Sequence, residues 1–209
     1  MSASFYIRGT WPGWRGQTLW ISGLIVVMYF ALRTVQVSAQ GARWEHYMVE
    51  GIKAYQRGQE TKAEMFYLAA LEDVGNAGPE DPRLAATLNT LAVLYHAQRK
   101  YTQAEPLYQR VLKLLEQTVG PEHPTLATTL NNLAVVYKAQ DKYGEAEPLY
   151  QRALTLLERT LGPEHPNLAA ALDNYADLLR KMQHEAEAET VEARAKAIWA
   201  KHKREPAGK

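Results

Sequence analysis

The chain of 209 residues contains no cysteine, which excludes disulfide staples, thiolate metal sites and a cysteine nucleophile while remaining compatible with any redox compartment. It also lacks the arrangements that carry chemistry: no HExxH, no glycine-rich phosphate loop, no GxSxG and no pair of histidines at metal-ligand spacing. Lysine and arginine do not recur as a cluster along one face, and 24 basic residues against 23 acidic ones leave a net charge of +1. The electrostatic footprint of a nucleic-acid binder is therefore missing. Together these absences argue against an enzyme, a metal protein or a cofactor carrier, and for a chain that works through its surface.

What the chain has instead is repetition. The stretch from Pro79 to Gly120 returns from Pro121 to Gly162 with 29 identities in 42 positions, and returns more loosely from Pro163 to Arg204. A period of this length marks a supersecondary unit that cannot bury its own apolar face and is stacked on copies of itself.

The copy that starts at Pro121 shows what the unit is. Leu126, Leu130, Leu133, Ala134 and Tyr137 fall at helical spacing, which predicts an amphipathic helix over 124–140. Pro124 suits its first turn, where an N–H has no intrahelical partner anyway. A turn at Asp141 and Lys142 leads into a second apolar stripe: Tyr143, Ala146, Leu149, Tyr150, Ala153, Leu154 and Leu157. Gly162 followed by Pro163 ends that helix, the glycine being expected in the left-handed C′ conformation. Ala134 and Ala146, like Ala92 and Ala104, mark the closest approach of the two helices. Pro106 and Pro148 fall inside second helices and each removes one backbone hydrogen bond. Asp81 reads as a good N-cap. His123 and His165 occupy the same place and read as residues that merely precede a proline, with no ligand partner at a workable metal spacing.

Leu130, Leu133, Ala134, Tyr137, Ala146, Tyr150 and Ala153 together resemble the small-and-large signature of the tetratricopeptide repeat, in the 42-residue form with an extended second helix seen in kinesin light chain. The preceding copy matches at Leu88, Leu91, Ala92, Tyr95, Ala104 and Tyr108, with Val111 last. The final copy matches at Leu172, Tyr175, Ala176, Leu179, Ala188 and Ala195, with Glu192 in place of the aromatic. A degenerate first copy is suggested by Tyr47, Gly51, Ala54, Ala63, Tyr67 and Ala70, with Glu50 where leucine is expected.

The resemblance implies an all-α, right-handed superhelical solenoid of antiparallel helix pairs. It further implies that the first helix of each pair lines a concave groove holding a partner peptide, with no cofactor. The groove positions would be Asn89, Val93 and His96, then Asn131, Val135 and Lys138, then Asp173, Asp177 and Arg180. An asparagine ladder offers donors and acceptors to an extended backbone. His96, Lys138 and Arg180 favour an acidic segment or terminal carboxylate, and Asp173 and Asp177 oppose it at one end, so the acidic end of the peptide points toward the middle of the array. The alternative is a solvated face whose asparagines bond locally. Glu192 supplies the polar outer face that a terminal repeat needs, and Trp199 would mark a docking patch if exposed.

The first 43 residues are of another kind. No acidic residue precedes Glu45, and Leu19 to Leu32 is an apolar run preceded by Arg8 and Arg15. This is the layout of a secretory signal, with Val37-Ser38-Ala39 fitting cleavage after Ala39. The competing reading is a retained anchor. A helix over 16–32 would span about 25 Å against a hydrocarbon layer of roughly 30 Å, and Trp11, Trp14, Trp20 and Tyr29 could sit at the interfaces. A buried helix is a third reading. The first two place the repeats outside the cytoplasm, on the periplasmic side in a bacterial setting, if the arginines stay inside.

The expected organisation is a signal or membrane anchor over 1–43, a repeat array over 44–204 and a disordered tail over 205–209. The array divides into a degenerate copy over 44–78, copies over 79–120 and 121–162, and a capping copy over 163–204. The expected function is that of a non-enzymatic adaptor for a protein or peptide. The alternatives are an accessory subunit of a membrane complex held by the N-terminal helix, or self-association through the ends of the array.

Overall fold

The structure, a computed structural model, describes residues 41–75, 78 and 80–204. The expected signal or anchor, its cleavage point at Ala39 and the tail over 205–209 lie outside the described residues. Within them the fold is all-helical, with no strand. Helix α1 covers 41–56. It is followed by α2 (Glu60–Gly75), α3 (Pro82–Ala97), α4 (Tyr101–Thr118), α5 (Pro124–Ala139), α6 (Tyr143–Leu161), α7 (Pro166–Lys181) and α8 (Glu185–Arg204). No helix among the described residues is long and apolar enough to cross a membrane. From α2 onward each helix packs chiefly on the one before and the one after, and α5 also touches α7. That is the contact pattern of a stack of hairpins. Below, helix A denotes α1, α3, α5 and α7, and helix B denotes α2, α4, α6 and α8.

Each hairpin turn is the same device. Gly58, Arg99, Asp141 and Gln183 all have positive φ, between 59° and 71°. The amide before helix B bonds back to helix A in each case: Gln59 to the Ala54 carbonyl, Lys100 to Tyr95, Lys142 to Tyr137 and His184 to Leu179, at 2.8–3.0 Å. The positive-φ residue donates to the carbonyl three before it, as Arg99 does to His96 at 2.9 Å. These are Schellman motifs, which satisfy carbonyls left open at a helix end. Three of the four use a residue that bears a Cβ, at a cost of about 1 kcal/mol. That choice hid the motif from a reading that looks for glycine.

Gly162 takes positive φ, but with ψ at 165° the residue is extended and outside the left-handed helical region expected of it. Only glycine readily combines a positive φ with so extended a ψ, and Gly78 and Gly120 share the positive φ. Asp81 caps α3 as expected, accepting from the Arg83 amide at 2.9 Å. His123 and His165 do the same with their rings. Each Nδ1 accepts a backbone amide, from Thr125 at 3.3 Å and from Asn167 at 3.1 Å. The histidines are N-caps, because an imidazole nitrogen can stand where a carboxylate oxygen stands in the second copy.

The core crosses repeat boundaries. Ala63 and Tyr67 of the first hairpin, Ala92 and Ala104 of the second, and Leu133 and Val136 of the third belong to one buried cluster. Ala134 and Ala146 are fully buried beside Tyr150. In the first hairpin the small position has shrunk to Gly51, because a Cβ there would lie 2.4 Å from the Tyr67 ring. Helix B of one repeat is also tied to the turn of the next by a glutamate. Glu64 accepts from the Tyr95 hydroxyl at 3.0 Å and Lys100 at 3.1 Å, and Glu105 from Gln140 at 2.9 Å and Lys142 at 2.8 Å. The end of the array differs where expected. Tyr108 and Tyr150 are buried beneath the following repeat, whereas Glu192 in that position faces Arg180 and Lys196 at 2.7 and 3.0 Å. Trp199 is half-buried against the core and donates to Asp173 at 2.9 Å, so it is no exposed docking patch.

Candidate partner-binding face

The 42-residue register places Asn89, Asn131 and Asp173 in line on successive A helices, then Val93, Val135 and Asp177, then His96, Lys138 and Arg180. That α5 and α7 stand side by side along this line is visible in two bonds. Asn174 donates to the Asn131 side chain at 3.3 Å, and Lys138 Nζ meets Asp177 Oδ2 at 2.6 Å. The structure thus brings the third and fourth repeats together at this face and neutralises part of it internally.

The cation ladder is not a row of free charges. Lys138 is committed to Asp177, and Arg180 to Glu192 and Glu185, the latter at 3.4 Å. His96 is half-buried with its ring 5.8 Å from that of Tyr101. Burial, and then the charge of Lys138, hold its pKa below the ordinary histidine value, so it is neutral at pH 7. Of the aspartates, Asp173 accepts from Trp199 and Asp177 from Lys138. This half of the face is polar and largely self-satisfied.

The other half is apolar and open. Val93 is 40% exposed, and the register extends it to Ile52 and Tyr55 on α1, which are 44% and 43% exposed. Met48, in line with Asn89, is partly buried against the core, and Val135 is half-buried. Ile52 and Tyr55 stand outside the groove positions expected from the three clear repeats. The signal was present, since they stand 41 residues before Val93 and His96. Large apolar side chains left open on a shared register are more informative than polar ones there.

No group of three or more histidine, aspartate or glutamate residues that could hold a metal ion occurs among the described residues. The face offers side-chain amides, apolar surface and paired charges, which suit recognition of a polypeptide.

The comparisons agree with that architecture. The tetratricopeptide repeat family model matches residues 52–117, 83–159 and 125–201. No curated protein matches the chain in sequence. Among solved structures, BtubC (BKLC) from P. vanneervenii is similar with a TM-score of 0.71 and 25% identity, covering 79% of this chain; the chain spans 66% of that protein, just under two thirds. A Podospora anserina protein described as a kinesin light chain of nearly identical TPR-like repeats has a TM-score of 0.63 and 25% identity, over 79% of this chain and 77% of its own. Aspartyl phosphate phosphatase F from Bacillus subtilis, at 18% identity and a TM-score of 0.67, shares the fold over 78% of this chain and 42% of its own.

Proposed function

Because this chain belongs to the tetratricopeptide repeat family, we propose that it is a non-enzymatic adaptor whose helix A face holds an extended segment of a partner protein. Repeats of this family typically bind other proteins or peptides. The observation that carries the reading here is the open apolar register of Ile52, Tyr55 and Val93, continued by half-buried Val135. A partner's apolar side chains would cover those residues, at about 25 cal/mol for each Å² removed from water. Asn89 and Asn131 would hold its backbone, and Lys138, Asp173, Asp177 and Arg180 would form the polar end of the groove. An acidic group reaching the middle of the array competes with Asp177 for Lys138, so apolar anchoring outweighs charge in this account.

A random-peptide display selection on the full chain tests the reading. Enriched peptides are expected to carry apolar residues and to lose binding to an Ile52→Glu, Val93→Glu variant with unchanged helicity and melting. Peptides that bind that variant as well as the parent would overturn it.

We further propose that residues 1–43 export the repeats or tether them to a membrane, on the strength of the charge-free apolar run over 16–32. Intact mass of the protein recovered from its cells decides between them. A mature start at Gln40 shows cleavage, an intact Met1 in the membrane fraction shows an anchor, and an intact chain in the cytosol contradicts both. The anchored outcome favours a second reading, a structural subunit of a membrane complex.

A further inference from the structure

Away from the helix A face, successive levels of the array repeat a cleft between a helix B and the loop that enters its repeat. At the level of α6 this cleft has a volume of about 300 Å³, with Glu122, Gln151, Arg152, Thr155 and Arg159 in its lining. It is electrically closed. Arg152 meets Glu116 at 2.7 Å and Arg159 pairs with Glu122. Both pairs recur 42 residues later, as Arg194 with Glu158 at 2.7 Å and Lys201 with Glu164.

The level of α4 breaks the pattern. Its cleft, about 330 Å³, is lined by Gly75, Gly78, Arg110, Lys113, Leu114 and Gln117. Gly75 stands in the register of Glu116 and Glu158, so the carboxylate that would meet Arg110 is missing. Lys113 replaces Thr155 and adds a second cation, while Gln117 replaces Arg159. Neither Arg110 nor Lys113 has an ion-pair partner among the described residues, and both are exposed. Glu80, in register with Glu122, is exposed and does not line this cleft.

We propose that this cleft receives a glutamate or aspartate side chain from a partner protein, which meets Arg110 as the array's own glutamate meets the helix B arginine at the next two levels. The neighbouring levels show the occupant: a carboxylate entering from the side of the preceding repeat to meet a helix B arginine. The guanidinium offers a planar fork that suits a carboxylate, and Gly75, with no atom within 4 Å of where a Cβ would stand, leaves the approach open. An exposed pair of this kind contributes little alone. It steers and sets register for a larger contact, and it shares no residue with the helix A face.

The test uses the full chain and a blocked, glutamate-rich helical peptide, followed by fluorescence anisotropy at low and at physiological salt. Arg110→Gln with Lys113→Gln should weaken binding about fivefold or more. Gly75→Glu, which installs the missing internal carboxylate, should do the same without loss of melting temperature. Arg152→Gln, which removes an arginine already paired with Glu116, should leave affinity unchanged, and salt should weaken the parent. Equal affinity of the parent, the double variant and Arg152→Gln would overturn the proposal, as would absence of binding by the parent. Binding lost in Ile52→Glu, Val93→Glu but retained in Gly75→Glu would assign the peptide to the helix A face and equally overturn the cleft.

Discussion

Tyr108 and Tyr150 are copies of one position with different fates. Both are buried, and burial raises both phenol pKa values. At Tyr108 the neighbouring Asn132 side chain offsets part of that rise. Asn174, the copy of Asn132, donates instead to Asn131, and the buried Tyr150 hydroxyl is left without a partner among the described residues. An unsatisfied buried hydroxyl opposes folding, whereas a satisfied one contributes about 1 kcal/mol. Tyr150→Phe should therefore be neutral or stabilising by up to about 1 kcal/mol, while Tyr108→Phe, beside Asn132, should be the more costly of the two. Urea unfolding of the two variants decides it, and equal losses would contradict the assignment. The same local diversion accounts for part of what the residues alone concealed at the candidate site. Asn131 belongs to the helix A line as expected, but that it accepts from Asn174, and that Lys138 spends its charge on Asp177 39 positions away, are facts of tertiary placement with no periodic trace in the sequence.

At the scale of the element, the hairpin was legible almost throughout, because two stripes at helical spacing, a proline at the start of α3, α5 and α7 and a glycine at the end of the first three repeats all point the same way. What escaped was chemistry done by unusual residues. Arg99, Asp141 and Gln183 hold positive φ where glycine is the usual choice, and the His123 and His165 rings act as caps. The close approach of the helices was legible from alanine alone. Ala146 is fully buried beside Ala134 and Tyr150, so Ala146→Leu should destabilise by roughly 1–3 kcal/mol through overpacking. Thermal melting by circular dichroism measures this, and an unchanged midpoint would mean that the helices do not meet there.

For the array as a whole, identical positions maintain the stack and differing positions set its surface. The buried leucines, the tyrosines and the glutamates that tie α2 and α4 to the next turn recur at the repeat period. The helix A register, by contrast, runs from apolar and open at Ile52, Tyr55 and Val93 to polar and internally paired at Asp177 and Arg180. On the proposed reading the first hairpin contributes apolar recognition surface although its repeat signature is worn, and positions drawn from the clear copies alone leave out Ile52 and Tyr55. Amide chemical-shift mapping with a display-selected peptide tests the central claim most directly. The account predicts perturbations concentrated at Ile52, Tyr55, Asn89, Val93 and Asn131 along the A helices; perturbations confined to the B helices would contradict it.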